Sequence, residues 1–293
     1  MIGQTITEMA PAKVNLNLQI QGRRDDGYHQ LDSAVIFTAF GDQISLTAAN
    51  SDSLSIIGDF APALEDNISD SPIASNLCLR ALAGFREAGG IIAPLEITLD
   101  KRIPVGAGLG GGSADAAAML RALNTHADKS ITAEILHMLA ASLGADVPAC
   151  LHARTLRMTG IGDQITPLAM PDADRAKAIL LANPLIPLTT KDVFDNFSNA
   201  AQSHNLDTPD DFGTHGFLAL ARRGNDLTDT AIRLVPEIAT LLTLLQQQSG
   251  CQIAAMSGSG ASCFALFETN AACQHAEAVL QTAGIWAKAT HII

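Results

Sequence analysis

Positive charge is scarce in this 293-residue chain: 18 lysines and arginines stand against 30 aspartates and glutamates, leaving a formal net charge of −12. General nucleic-acid binders and anionic-membrane binders both need a basic face to meet phosphates, so neither class fits, and any anionic substrate needs a locally positive field. Cysteine is also sparse. Cys78, Cys150, Cys251, Cys263 and Cys273 are odd in number and scattered, with no C-x-x-C pair, which reads as free thiols in a reducing compartment. No apolar run approaches the roughly 20 residues of a membrane span, so IIAPLEITL and AILLANPLIPL read as buried strands. The segment MIGQTITEMAPAK has neither the basic nor the apolar region of a secretory signal, and a cytoplasmic protein is expected. Low-complexity tracts, fixed-period repeats and long charge runs are missing as well.

Apolar residues are plentiful, at 47% of the chain, enough for a sizeable core in two lobes or one large domain. From Thr5 to about Ile57, apolar and polar residues alternate between turn signals such as Asp25-Asp26-Gly27 and Asn50-Ser51-Asp52, the pattern of antiparallel sheet. Helical spacing follows over Asn76 to Gly90, then a strand in PLEITL, a glycine loop, and helices over Ser113 to Leu123 and Thr132 to Leu143, with Thr132 as N-cap. Short strands are expected around Gly160-Ile161-Gly162, and a new strand run begins near Ala176. Beyond it the chain reads as helices Lys191 to Ser198, Pro236 to Gln248 and Ala271 to Ala283, with strands Gln252 to Met256, Ser262 to Phe267 and Trp286 to His291. The expected class is α+β, with helices on mainly antiparallel sheets. The lobe boundary is placed in 163–176, giving lobes 1–163 and 164–293.

The segment Pro104 to Leu120, PVGAGLGGGSADAAAML, sets five glycines before an alanine-rich helical run. Glycines permit positive φ and close backbone approach, and free N–H groups at a helix start present partial positive charge, so the loop can cradle phosphate. Gly106-x-Gly108-x-x-Gly111 matches a dinucleotide fingerprint, but the strands before it look antiparallel and no strand precedes Asp128. Gly106-x-x-x-x-Gly111-Gly112-Ser113 is a P-loop with glycine where lysine belongs. Phosphates bound here need charge from elsewhere, and Lys13, Lys101 and Arg102 are the candidates; a packing-only glycine turn is the plain alternative.

Four other groups stand out. Lys13, Asn15 and Asn17 share one face of a strand by the period of two, either a polar row with a function or the water-facing side of a sheet. Asp26-Gly27-Tyr28-His29 puts the single tyrosine beside a histidine at a glycine turn, where a ring can stack on a base and imidazole can hydrogen-bond it, unless it is merely a surface turn. Asp146, in Gly144-Ala-Asp-Val-Pro148, is either a helix cap or a partly buried carboxylate able to orient and deprotonate a hydroxyl with Lys13. Met256-Ser-Gly-Ser-Gly-Ala-Ser-Cys-Phe264 is a second glycine loop, either a hairpin turn or a segment that closes over the first.

In this order, the segments resemble the galactose, homoserine, mevalonate and phosphomevalonate kinase superfamily. A-K-V-N-L-x-L, G-R-R-D-D-G-Y-H-x-L, P-V-G-A-G-L-G-G-G-S-A-D-A-A, G-A-D-V-P and S-G-S-G-A-S are similar, more narrowly, to the family of 4-diphosphocytidyl-2-C-methyl-D-erythritol kinases. The resemblance implies a two-lobed kinase with its active site in the inter-lobe cleft, moving the γ-phosphate of ATP to the 2-hydroxyl of a cytidine diphosphate alcohol in non-mevalonate isoprenoid synthesis. It implies Asp146 as base, Lys13 as charge stabiliser and Asn15 as a substrate contact. Pro104, Gly106, Gly108, Gly110, Gly111, Gly112 and Ser113 would hold phosphates, with Asn76 and Lys101 near adenine, while Tyr28, His29 and Phe194 would read cytosine. Mg2+ is expected with ATP, its ligands unassigned beyond Ser113 and water. The expected partners are small molecules, with neither nucleic acid nor membrane, and the chain a monomer or weak dimer. A homoserine- or mevalonate-type kinase and a catalytically silent nucleotide-binding protein are the rival readings.

Overall fold

The computed structural model describes residues 5–65, 76–169, 174, 176–197 and 216–293. In chain order, the elements used below begin with strands β1 (Ile6–Asn15), β2 (Gln19–Arg23), β3 (His29–Ala48) and β4 (Ser53–Ile57), helix α1 (Leu77–Glu87), β5 (Leu95–Asp100), α2 (Gly111–His126), α3 (Ala133–Leu143) and α4 (Val147–His152). Then come β6 (Leu156–Thr159), β7 (Gln164–Pro167), β8 (Ala178–Asn183), α5 (Thr190–Asp195), α6 (Phe217–Ala221), α7 (Thr228–Leu234), α8 (Glu237–Gln246), β9 (Cys251–Met256), β10 (Cys263–Phe267), α9 (Asn270–Thr282) and β11 (Trp286–His291). The chain divides into two compact units: Met1–Ala12, Gly41–Val105 and Gly110–Ala153 form one, and Lys13–Phe40, Gly106–Leu109 and Arg154–Ile293 the other. Residues 170–173 and 175, within the stretch expected to hold the lobe boundary, lie outside the described residues, as does Ser198, the last residue of an expected helix.

In the first unit, the second half of β3 runs antiparallel to β5, from Gln43 opposite Asp100 to Ala48 opposite Leu95. Alternation in β5 buries Leu95, Ile97 and Leu99, which face the same core as Ile44 and Leu46, and each fully buried side chain of this size contributes roughly 1.5–3 kcal/mol. One expectation is overturned here. β4 pairs with β5 in parallel, Ser53 opposite Glu96 through Ile57 opposite Asp100, although its sequence reads as part of an antiparallel run. A parallel pair needs a long crossover, and the chain carrying α1 supplies it. Asn76 caps α1 by accepting from the Cys78 N–H at 2.8 Å, and Thr132 caps α3 through Ile135 N–H. The alanines of α2 are buried against α1, α3 and α4, where small side chains let helices approach.

In the second unit, β11-β8-β10-β9 form an antiparallel sheet whose central strands, AILLAN and CFALF, are buried along their whole length. Ile238, Leu241 and Leu245 of α8 and Cys273, Ala276 and Leu280 of α9 share its apolar core. The first half of β3 pairs with β2 and with β6, and β6 returns as β7. Gly160 and Gly162 take positive φ in that hairpin, and the Asp163 carboxylate accepts from Ile161 N–H at 3.0 Å, so Thr159 to Asp163 is a side-chain-closed turn. The short helices α6 and α7 are additions to the elements expected from sequence. Among the described residues no helix is long and apolar enough to cross a membrane.

Candidate active site

The first glycine loop winds through alternate left-handed residues: Gly106, Gly108 and Gly110 have φ of 67°, 71° and 66°. Only glycine adopts these angles without strain. Gly110 is also the N-cap of α2 and brings no side chain to it, so the first-turn N–H groups of a 16-residue helix keep their anion-binding capacity.

Three segments singled out in the sequence meet within the second unit. The backbone N–H of Lys13 donates to Leu109 O at 2.9 Å, and Ser262 N–H donates to Ala107 O at 3.2 Å. The Ser257 hydroxyl accepts from Asn15 N–H at 3.1 Å and donates to Gly108 O at 3.4 Å. A Cβ on Gly108 would collide with the carbonyl oxygen of Gly260, so the two glycine loops touch at bare backbone. The late loop is therefore both the β9–β10 turn and a segment seated on the first loop. Its other serines are held too: Ser259 pairs with Thr190 at 2.9 Å, and Asn183 donates to Ser262 at 2.8 Å.

Lys13, Asn15 and Asn17 are only 5%, 4% and 0% exposed, so the water-facing alternative fails. β1 ends at Asn15, so Asn17 lies past the strand whose period was used to place it. Asn15 Nδ2 donates to Ser33 Oγ at 2.7 Å, Ser33 donates to Asn17 O at 2.5 Å, and Asn17 Oδ1 accepts from Ala34 N–H at 2.8 Å. Asn15 Oδ1 is buried and has no hydrogen-bond partner among the described residues. Such an acceptor costs about 1–3 kcal/mol when unmet, which fits a group that receives a ligand donor.

Gly27, at φ 90°, shapes the turn before Tyr28, whose side chain is 62% exposed. The His29 ring lies 5.3 Å from Phe194 at a 31° tilt and 5.6 Å from Phe197 edge-on at 82°. Burial, and then the nearby Arg23 charge, hold the His29 pKa below the ordinary histidine value. Its imidazole is neutral at neutral pH, with one donor and one acceptor nitrogen.

In the first unit, Lys101 Nζ is buried and bonded to Asp42 at 2.5 Å and Asp115 at 2.7 Å. Its ammonium is thus held by two carboxyl groups instead of standing open at the loop. Burial pulls the Lys101 pKa down, but the two carboxylates outweigh it and leave the value raised. Asp115 is pushed up to about 8 by burial, with Asp42 adding to the rise and Lys101 opposing it. The other oxygen of Asp42 accepts from Arg102 and Ile103 N–H groups, which fixes the chain entering Pro104. A Cβ on Gly111 would stand 3.0 Å from Lys101 Nζ, so glycine lets the first turn of α2 sit over the ammonium. Gly112 and Ser113 complete that turn. Asp146 occupies the N-cap position of α4, the place the cap alternative gave it, but its side chain makes no capping hydrogen bond there. Among the described residues no three His, Cys, Asp or Glu side chains gather as a metal site.

Residues 76–154 match the family model described as GHMP kinases N terminal domain, and residues 211–285 match GHMP kinases C terminal. The 4-diphosphocytidyl-2-C-methyl-D-erythritol kinase of Parvibaculum lavamentivorans is 43% identical over 96% of this chain and 96% of its own. The chain belongs to this kinase family. The enzyme of the same name from Agrobacterium fabrum is also 43% identical, over 94% of this chain and 91% of its own. A crystal structure of 4-(cytidine 5'-diphospho)-2C-methyl-D-erythritol kinase superposes with a TM-score of 0.80 at 31% identity, covering 98% of this chain and 99% of that one. A homoserine kinase from Cytophaga hutchinsonii shares the fold, with a TM-score of 0.72 at 17% identity over 100% and 96% of the two chains.

Within this family member, several residues of the described network escaped the sequence reading. Asp42 carries no motif, and Asp115, although it lies inside the G-G-G-S-A-D-A-A motif, drew no role of its own. Phe197 sits three residues after Phe194, a helical spacing that could have paired them. Asn225 sits in Gly224-Asn225-Asp226, a turn signal that drew no functional reading.

Proposed function

We propose that the protein transfers the γ-phosphoryl group of ATP to the 2-hydroxyl of 4-diphosphocytidyl-2-C-methyl-D-erythritol, a cytoplasmic step toward isoprenoid precursors. The reading is carried by one observation: two interlocked glycine loops and a buried lysine and asparagine strand stand in a chain 43% identical, nearly end to end, to kinases of that name.

Asp146 accepts the hydroxyl proton as the oxygen attacks the γ-phosphorus, the bond to the bridging oxygen breaks, and ADP leaves. Lys13 stabilises the charge that develops on the transferring group. Phosphoryl transfer is mostly positioning and electrostatics, which is what these two residues and the backbone N–H groups of the loop supply. Pro104 and Gly106 through Ser113 hold the β- and γ-phosphates, and Asn76 and Lys101 lie near adenine, Lys101 also supporting the first turn of α2. Asn15 Oδ1 receives a donor from the acceptor alcohol. Tyr28 stacks on cytosine, His29 hydrogen-bonds its edge, and Phe194 fixes the His29 ring. Mg2+, expected with ATP, would neutralise charge on its phosphates. Ser113 suits one ligand position and water the rest, in keeping with the preference of magnesium for retained waters.

Incubation with ATP and each candidate alcohol, while ADP release is followed, tests the reading. Turnover of the cytidyl alcohol is expected. Turnover of homoserine or mevalonate instead, or ATP binding with no turnover of any alcohol, would overturn it.

A further inference from the structure

Asn225 lies in the turn between α6 and α7. Its amide Nδ2 donates to Met256 O at 3.0 Å and to Gly258 O at 2.7 Å, the carbonyls on either side of Ser257. The orientation of that amide is determined, because Oδ1 accepts from the Leu227 N–H at 3.0 Å and nitrogen could not take its place. The turn itself is held by other groups. Leu18 N–H donates to Gly224 O at 3.1 Å, Asp226 N–H donates to Leu18 O at 2.9 Å, and the Asp226 carboxylate accepts from Ile20 N–H at 2.7 Å. A rigid clamp therefore presents two donors to the late glycine loop.

We propose that Asn225 is a positioning residue for phosphoryl transfer, holding the late loop so that Ser257 and Gly260 fix Gly108 of the phosphate loop. The step from Asn225 to Gly108 passes through Ser257, whose hydroxyl bonds Gly108 O, and through the backbone contact of Gly260 with Gly108. Glycine at both contact points leaves no side chain to buffer a shift, so a displaced late loop displaces the phosphate loop with it. The effect belongs on the ATP side of the reaction, because the Asn225 bonds reach the loops and not Tyr28 or His29. This inference rests on the proposed kinase function.

Asn225→Asp keeps the size and the Leu227 acceptor but turns the donor into an oxygen facing two carbonyl oxygens. Misplacing a catalytic geometry by about an ångström costs on the order of a hundredfold in rate. Asn225→Asp is expected to lower kcat by about that factor and to raise the KM for ATP about tenfold, with the KM for the cytidyl alcohol unchanged within about twofold. Asp226→Asn, which keeps an oxygen acceptor for the Ile20 N–H and so leaves the turn held, is expected to stay near wild type. Circular dichroism and melting verify folding, and should Asn225→Asp not fold, Asn225→Ser, which keeps one donor, is read against the same criteria. A folded variant with wild-type kcat and ATP KM overturns the proposal, as does an equal loss in Asp226→Asn. Titration of a non-hydrolysable ATP analogue separates this from failure of the kinase reading: weaker binding by Asn225→Asp is expected even where no alcohol is turned over by wild type, and unchanged binding there rejects the positioning role.

Discussion

Asn15 donates its backbone N–H to the hydroxyl of Ser257, 3.1 Å away in space and 242 positions away in sequence. The bond ties the end of β1, which carries Lys13, to the late glycine loop, and the same hydroxyl continues to Gly108 O. A single buried serine thus joins the segment bearing Lys13, proposed to stabilise charge, to the glycine loop proposed to hold phosphate.

Ser257→Ala removes that joint. It leaves the Asn15 N–H buried without an acceptor, a loss of about 1–3 kcal/mol, and a melting temperature lower by several degrees is expected by calorimetry. Steady-state kinetics should show a higher KM for ATP. A variant that melts and binds ATP as wild type does would show the bond to be incidental.

Asp146→Asn tests the base. The amide keeps the size of the carboxylate but cannot take a proton at neutral pH, and general-base catalysis is worth about 10²–10⁴ in rate. A kcat lower by that range, with ATP-analogue affinity preserved in a titration, is expected. Full activity would remove Asp146 from the reaction.

The order of helices and strands was legible in the sequence because periodicity and caps act locally: Asn76, Thr132 and the glycines before α2 all mark ends that the structure keeps. Partners were not legible. Alternation says which face of β4 is apolar but not that β4 lies parallel to β5, and the motif around Lys101 does not announce Asp42, 59 positions earlier, as its counter-charge. For Asp146 the outcome was mixed. Its position at a helix start was readable, but whether its side chain caps depended on a rotamer that no local pattern encodes.

Phe194 and Phe197 clasp His29 on its face and its edge. Replacing Phe194 with alanine frees the imidazole, and Tyr28→Ala removes the ring proposed to stack on cytosine. Base–aromatic stacking is worth about 1–3 kcal/mol, so the Tyr28 variant should raise the KM for the cytidyl alcohol about five- to a hundredfold while the KM for ATP holds. Because the His29 pKa is lowered, the cytidyl KM of wild type should stay flat through neutral pH and rise only where the imidazole protonates, below the ordinary histidine range. A KM that already climbs between about pH 7.5 and pH 6.5 would contradict a neutral His29.

Asp115 faces Lys101 and Asp42, with the Cys78 thiol also near, and its pKa is pushed from the usual aspartate value to about 8. Three ionised groups here would leave one negative charge in excess in a buried place, so the proton stays on Asp115 in the folded protein and leaves it in the unfolded chain. Native protein then binds more protons than unfolded protein between about pH 4 and about 8. The stabilisation is complete below the unfolded pKa and is lost as pH rises through about 8, the reverse of an ordinary salt-bridged aspartate. Asp115→Asn accepts from Lys101 as before and cannot titrate, so its stability should lack this decline. Urea midpoints measured for both proteins at several pH values between about 5 and 8.5 are expected to show wild type losing ground to Asp115→Asn as pH rises. Parallel profiles would mean that Asp115 is ionised throughout and that Lys101 carries two full negative partners beside the first turn of α2.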